Sequence, residues 1–102
     1  MKDYYVYMLL CADGSYYVGV TSALDERLWQ HENGYFEECY TYTRRPLKLV
    51  HCSQFSEVAD AIDWEKRLKG WSRAKKRALA NDNWPTIRAI VTAERRKREA
   101  LR

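Results

Sequence analysis

Two aromatic triplets, Tyr5-Val6-Tyr7 and Tyr17-Val18-Gly19, bracket an Asp13-Gly14 pair in this chain of 102 residues. A buried sheet has little use for two neighbouring hydroxyls, whereas a site that moves protons at a phosphate does. Downstream, Leu24, Arg27, Leu28 and His31 fall at i, i+3, i+4 and i+7, so a guanidinium and an imidazole share one helix face. Glu65 stands seven residues after Val58 and three after Ile62, near the middle of an apolar arc. A carboxylate there is costly unless it is paired, protonated or bound to a metal.

The elements that must position these groups follow from local patterning. Tyr4 to Leu10 is continuously apolar and aromatic, as in a strand, and Ser15 to Thr21 is its hairpin partner. Ala12-Asp13-Gly14 fits a three-residue loop, a type I turn ending in a left-handed Gly. That length sets Leu9 opposite Tyr17 and Tyr7 opposite Gly19, which makes Tyr7 and Tyr17 diagonal neighbours on one face and leaves space beside Tyr7. Ser22 to Asp25 has the form of a capping box opening a helix that stops at Gly34. A Tyr-rich loop follows to Arg45. Pro46 then starts a third strand, Leu47 to Ser53, with Leu47, Leu49 and His51 alternating against Lys48 and Val50.

Glu57 to Lys69 forms the next helix, with Val58, Ala61, Ile62 and Leu68 as its apolar stripe. Gly70 ends it, and Ser72 caps another from Arg73 to about Ala80. Asn81-Asp82-Asn83 breaks the chain before a last helix opened by Trp84-Pro85. The charged tail, Glu94 to Arg102, is expected to fray. The expected fold is α+β: a three-stranded, mainly antiparallel sheet flanked by helices. The expected organisation is one main domain over residues 1–83 and a C-terminal helical extension over 84–102.

The chain is 46% hydrophobic and 14% aromatic, which excludes a disordered tail. Its net charge of +4 suits a polyanionic partner or simple solubility. Cys11, Cys39 and Cys52 show no CxxC pair and no Cys/His ligand spacing, against both a zinc knuckle and a disulfide framework. Neither a signal peptide nor a membrane span is apparent, so a reducing, cytoplasmic setting is expected.

With these elements in order, the chain resembles the small stand-alone members of the GIY-YIG nuclease family. Tyr5-Val6-Tyr7 is similar to the first family triplet, with Tyr5 in place of its opening Gly, and Tyr17-Val18-Gly19 to the second. The segments 21–31, 40–47 and 65–73 are similar to the rest, over roughly Tyr4 to Ala80. The resemblance implies hydrolysis of DNA phosphodiesters with one divalent metal, Mg²⁺ or Mn²⁺. Tyr7 would be the general base or would orient the attacking water, Tyr17 would bond the scissile phosphate or a metal-bound water, and Arg27 would offset charge in the transition state.

A free phenol titrates near about 10, so Tyr7 would need a neighbouring cation to act as a base. His31 would assist with proton transfer or phosphate contact, its other use being a helix C-terminal cap. Glu65 would be the sole protein ligand of the metal, the other use being an ion pair with Lys69 or Arg27. Many members use an Asn on the last core helix; here Asn81 and Asn83 lie in a helix-breaking run that a turn explains.

Thr41, Thr43, Arg44, Arg45, Lys69, Arg73 and Lys76 would line a path for DNA, with Tyr35, Phe36, Tyr40 and Tyr42 available to stack on unpaired bases. No appended recognition module is expected beside the core, which points to structure-directed or nonspecific cutting, single strands included. The competing expectations are a nucleic-acid-binding module without catalysis and a partner-binding scaffold.

Overall fold

The structure is a computed structural model that describes residues 2–101. Strands β1 (Tyr4–Leu10), β2 (Tyr16–Thr21) and β3 (Lys48–Phe55) form one antiparallel sheet in the order β2-β1-β3. Its hairpin is the three-residue loop expected from the sequence. Gly14 takes φ 83°, its N–H donates to the Cys11 carbonyl (2.9 Å), and the Cys11 N–H donates to the Ser15 carbonyl (2.8 Å). Asp13 stiffens the turn by accepting the Ser15 N–H and hydroxyl at 3.0 and 2.6 Å. The resulting register pairs Leu9 with Tyr17 and Tyr7 with Gly19.

β1 runs through the middle, and Val6, Tyr7, Met8 and Leu9 are buried. β3 departs from the simple alternation expected of it. Its pairing passes from Met8–His51 to Leu9–Leu49, so Val50 is an extra residue at a bulge. The bulge shifts the side-chain phase, and Leu49 is left exposed rather than turned inward.

Helix α1 (Leu24–Glu32) does not use the expected capping box. Ala23, whose side chain has no acceptor, occupies the cap position, and the Thr21 Oγ1 accepts the Ala23 N–H at 3.0 Å. Gly34, at φ 62°, ends the turn after α1. A 3₁₀ turn, Tyr42–Arg44, precedes β3. Helix α2 (Val58–Lys69) lies against all three strands. Ala61 and Leu68 are its buried residues, while Val58 and Ile62, expected in the same stripe, are exposed.

The chain divides into two compact units, Met1–Gly70 and Trp71–Arg102. The second holds α3 (Arg73–Ala80) and α4 (Trp84–Ala100). Ser72 caps α3 by accepting the Lys75 N–H, and Asn83 caps α4 by accepting the Thr86 N–H. Ala78, Leu79 and Ile87 are buried in this unit. Lys75 is buried beside the Trp71 ring, with its ammonium on Glu94 at 3.3 Å. The charged tail expected to fray stays helical to Ala100, and Arg102 lies outside the described residues. Among the described residues no helix is long and apolar enough to cross a membrane, and all three cysteines are free.

Candidate active site

The hairpin register brings the two phenols together. The Tyr7 and Tyr17 rings lie 6.3 Å apart, centroid to centroid, tilted by 43°. A Cβ on Gly19 would fall on the end of the Tyr7 ring and its hydroxyl, so only glycine leaves that ring its place. The environments of the two differ. Tyr7 is fully buried, and burial, followed by the neighbouring Tyr17, pushes its phenol well above the usual range. Arg27 pulls the other way by its charge and hydrogen bonding, without prevailing. Tyr17 is half-buried, and burial also raises its phenol.

α1 delivers His31 against both rings, 5.6 Å from Tyr7 and 5.2 Å from Tyr17 between centroids, each edge-on. The imidazole is buried, with Nε2 2.8 Å from the Tyr7 hydroxyl and Nδ1 2.9 Å from the Thr41 hydroxyl. Thr41 in turn donates to the Cys39 Sγ at 3.4 Å. Burial lowers the His31 imidazole, and Arg27 lowers it further. Burial pushes the Cys39 thiol up, but hydrogen bonds from Thr41 and Tyr17 and the charge of Arg27 outweigh it, so the thiol lies below its ordinary value. Arg27 is therefore the cation whose charge reaches Tyr7, Tyr17, His31 and Cys39 alike.

Glu65 sits on α2 one turn from the buried Ala61 and Leu68, and its charge acts on Tyr17. Its carboxylate, 15% exposed, pairs with the Lys69 ammonium at 2.9 Å; the Lys69 side chain is 56% exposed. Among the described residues no group of three His, Cys, Asp or Glu side chains could enclose a metal. One inward carboxylate held by a lysine that can swing into solvent nevertheless fits a hard cation that takes one protein ligand and fills its shell with water and phosphate.

Residues 3–78 match the GIY-YIG catalytic domain. The chain belongs to the GIY-YIG family. Similar proteins include a UPF0213 protein of Syntrophus aciditrophicus, 37% identical over 81% of this chain and 95% of that one. A UPF0213 protein of Natronomonas pharaonis is 40% identical over 78% and 93%. Among solved structures, the solution structure of the UPF0213 protein BH0048 from Bacillus halodurans superposes with a TM-score of 0.52 at 39% identity, covering 78% of this chain and 83% of that one. The protein EF2693 from E. faecalis gives 0.56 at 30% identity, covering 80% and 86%.

A GIY-YIG catalytic domain points to nuclease chemistry on DNA. The GIY-YIG triplets here are the two strands whose register sets the phenols side by side. Four of the expected site residues, Tyr7, Tyr17, Arg27 and His31, come together, and Glu65 lies near enough to influence Tyr17. Several residues expected along a DNA path have other occupations. Thr41 is only 1% exposed and bonds to His31, so it cannot meet a phosphate at the surface. Arg44 staples two loops together: its guanidinium reaches Asp13 at 3.0 Å and the Tyr40 carbonyl at 2.7 Å, and lies 3.7 Å over the Tyr40 ring.

Arg45 donates to the Tyr42 and Glu32 carbonyls, tying the same loop to the end of α1. Lys69 is on Glu65, and Thr43 is exposed. Arg73 (exposed) and Lys76 (half-buried) belong to α3 in the second unit. Asn81 donates to the Arg77 carbonyl and Asn83 caps α4, so both side chains have local structural uses. Sequence reasoning gave Cys39 no role in the site and misplaced Thr41. The Cys39-x-Thr41 spacing carries no local signal of a histidine ten residues before Thr41.

Proposed function

We propose that the protein is a metal-dependent endonuclease that hydrolyses DNA phosphodiesters to 5′-phosphate and 3′-hydroxyl ends, with single-stranded or structured DNA as substrate. The observation that carries the reading is the 2.8 Å hydrogen bond between Tyr7 and His31 beside Tyr17 and under the charge of Arg27. A phenol raised by burial makes a poor free phenolate. It can still pass a proton: its oxygen takes one from the attacking water while its own goes to His31 Nε2, and no isolated phenolate forms.

The water oxygen forms the new bond to phosphorus as the bond to the 3′ oxygen breaks, and solvent supplies the proton to that departing oxygen. The Tyr7 oxygen is enclosed in the free protein, so substrate must open the Tyr17 side to admit the water. Arg27 binds the phosphate and offsets its growing charge as a fixed, planar cation. Tyr17 donates to a phosphate oxygen. Glu65 would hold Mg²⁺ or Mn²⁺, which when bound supplies Lewis-acid activation of the phosphate and stabilises the leaving oxygen. Lys69 is released from Glu65 in that state, free to meet the DNA backbone.

Purified protein incubated with end-labelled single-stranded, duplex and branched DNA, with Mg²⁺, Mn²⁺ or chelator, tests this. Cleavage that needs metal and is lost in Arg27→Ala and Glu65→Gln supports it. Equal cleavage by wild type and Glu65→Gln would sink it. A second reading, a nucleic-acid-binding module without turnover, is favoured by the Glu65–Lys69 pair. It requires salt-sensitive DNA binding that survives chelation and no cleavage with any metal.

A further inference from the structure

His31 is held from two sides by hydroxyls, and only one of them belongs to the proton path just described. The other, Thr41, has the features of a device that decides which imidazole nitrogen carries the proton. A threonine hydroxyl has one proton to give. Here it is directed at the Cys39 sulfur at 3.4 Å, so the Thr41 oxygen is left to accept from His31 Nδ1 at 2.9 Å. Nδ1 then carries hydrogen and Nε2 is bare, facing Tyr7 at 2.8 Å. The opposite assignment would require Cys39 to give its own proton to Thr41. The environment of the sulfur argues against that, since Tyr17 and the Thr41 backbone also direct hydrogen bonds at it and Arg27 favours its anion. Thr41 is 1% and His31 3% exposed, which leaves little solvent access to scramble the choice.

We propose that Thr41 is a positioning residue: anchored by the Cys39 sulfur, its hydroxyl locks His31 in the Nδ1–H tautomer and so leaves Nε2 free to receive the proton of Tyr7. It rests on the endonuclease reading for its consequence, though not for its geometry. The histidine tautomer is set by the partner of its second nitrogen. A neutral imidazole with hydrogen on Nε2 would point a donor at a phenol that is itself a donor, and the relay would have no acceptor. The groups facing His31 are Tyr7 from β1, Tyr17 from β2, Arg27 from its own helix and Thr41 from the loop before the 3₁₀ turn, with Cys39 bonded to Thr41.

Nitrogen-15 NMR of the histidine-labelled full chain is the direct test. Only two histidines are present, and the spectrum of His31→Gln assigns them. The wild type is expected to show His31 as Nδ1–H with Nε2 unprotonated. Thr41→Val, which keeps the volume and removes the hydroxyl, is expected to give a mixed or Nε2–H signal. Its kcat should fall about ten- to a hundredfold, the size of effect seen when a histidine's second hydrogen-bond partner is lost at metal sites, with KM little changed. Thr41→Ser should restore both the tautomer and most of kcat. A wild-type spectrum with hydrogen on Nε2 overturns the proposal, even if Thr41→Val does not fold. So does a Thr41→Val protein with wild-type tautomer and kcat. A wild type that cuts no DNA overturns the endonuclease reading, and the spectra then decide the role of Thr41 alone.

Discussion

The site has two halves built on different physical terms. Around His31 the side chains are closed in: Tyr7, His31 and Thr41 are buried, and both ring nitrogens of the histidine have a partner. Around Glu65 the arrangement is looser, a carboxylate at the edge of the core paired to an ammonium that is mostly in solvent. Buried polar groups hold one geometry because breaking any bond strands a partner away from water. A single i, i+4 contact to an ammonium that stands mostly in solvent holds its partner far less firmly than a closed network does. The half proposed to handle protons is therefore held in one hydrogen-bonded geometry in the free protein, and the acidic half is free to change partners.

Arg27 is where this contrast breaks most sharply, because its charge reaches the whole closed half. Arg27→Ala is expected to lower kcat about 10²- to 10³-fold, the range for removing one preorganised stabiliser of developing charge. Arg27→Lys should recover only part of it, since an ammonium lacks the planar fork. Single-turnover cleavage measures this. Full activity in Arg27→Ala would place the phosphate elsewhere.

Gly19→Ala probes the rigidity of the closed half without removing a functional group. The added Cβ meets the Tyr7 ring at its hydroxyl end, where both are buried. Overpacking of this kind costs about 1–3 kcal/mol. At Gly70 an added Cβ comes no closer than 3.5 Å, to the Arg67 carbonyl, so Gly70→Ala should stay within about 0.5 kcal/mol of wild type. Chemical denaturation of both variants gives the difference. Equal midpoints would mean that the Tyr7 ring can move aside at no cost, and the closed half is not rigid.

Protons give a third handle. Burial and then Arg27 hold His31 below the usual imidazole range, and the neutral ring is the form that accepts. Cleavage should rise with pH through an ionisation below about 6.5 and be level at neutrality. Stability follows the same sign. The unfolded chain binds the His31 proton more readily, so this contribution is complete above about 6.5 and is lost as pH falls through the folded value. Thermal midpoints against pH should flatten in His31→Gln. Parallel profiles for the two proteins would assign the titration to another group.

How much of this was legible in the chain depended on range. The hairpin was, because Asp13-Gly14 and a three-residue loop fix pairing locally, and the pairing alone puts Tyr7 beside Tyr17 and opposite Gly19. Ser72 and Asn83 were readable as breaks and caps for the same reason. The bulge at Val50 was not, since it is decided by how β3 meets β1 and leaves Leu49 exposed against its pattern. Ser22 is passed over as the cap, because the chain turns at Thr21, which accepts the Ala23 N–H, and the helix starts only after Ala23. Thr41 lies in a polar stretch that reads as surface, and only the fold turns it inward onto His31. Arg44 and Arg45 were legible as cations but not as loop staples.

The smallest expected effect falls on the looser half and is the one that best separates its two uses. Lys69→Met keeps the aliphatic stem and removes the ammonium from Glu65. Only the lysine end of the pair is exposed, and the carboxylate is left largely out of solvent without its partner, so the stability cost should exceed the few tenths of a kcal/mol of a fully exposed pair and stay on the order of 1 kcal/mol. If the carboxylate is only the partner of that lysine, nothing else follows. If Glu65 is the ligand of a divalent ion, the lysine competes with the metal for the same oxygen, and its removal should lower the half-saturating Mn²⁺ concentration by a few fold. If that lysine also meets the DNA backbone, its removal should at the same time weaken DNA binding and reduce its salt dependence by about one ion. Titration of Mn²⁺ by calorimetry, with Glu65→Gln as the blank, isolates the first effect from the second. An unchanged Mn²⁺ isotherm in Lys69→Met, or binding that persists in Glu65→Gln, would remove Glu65 from the metal site and leave the open half as a surface ion pair.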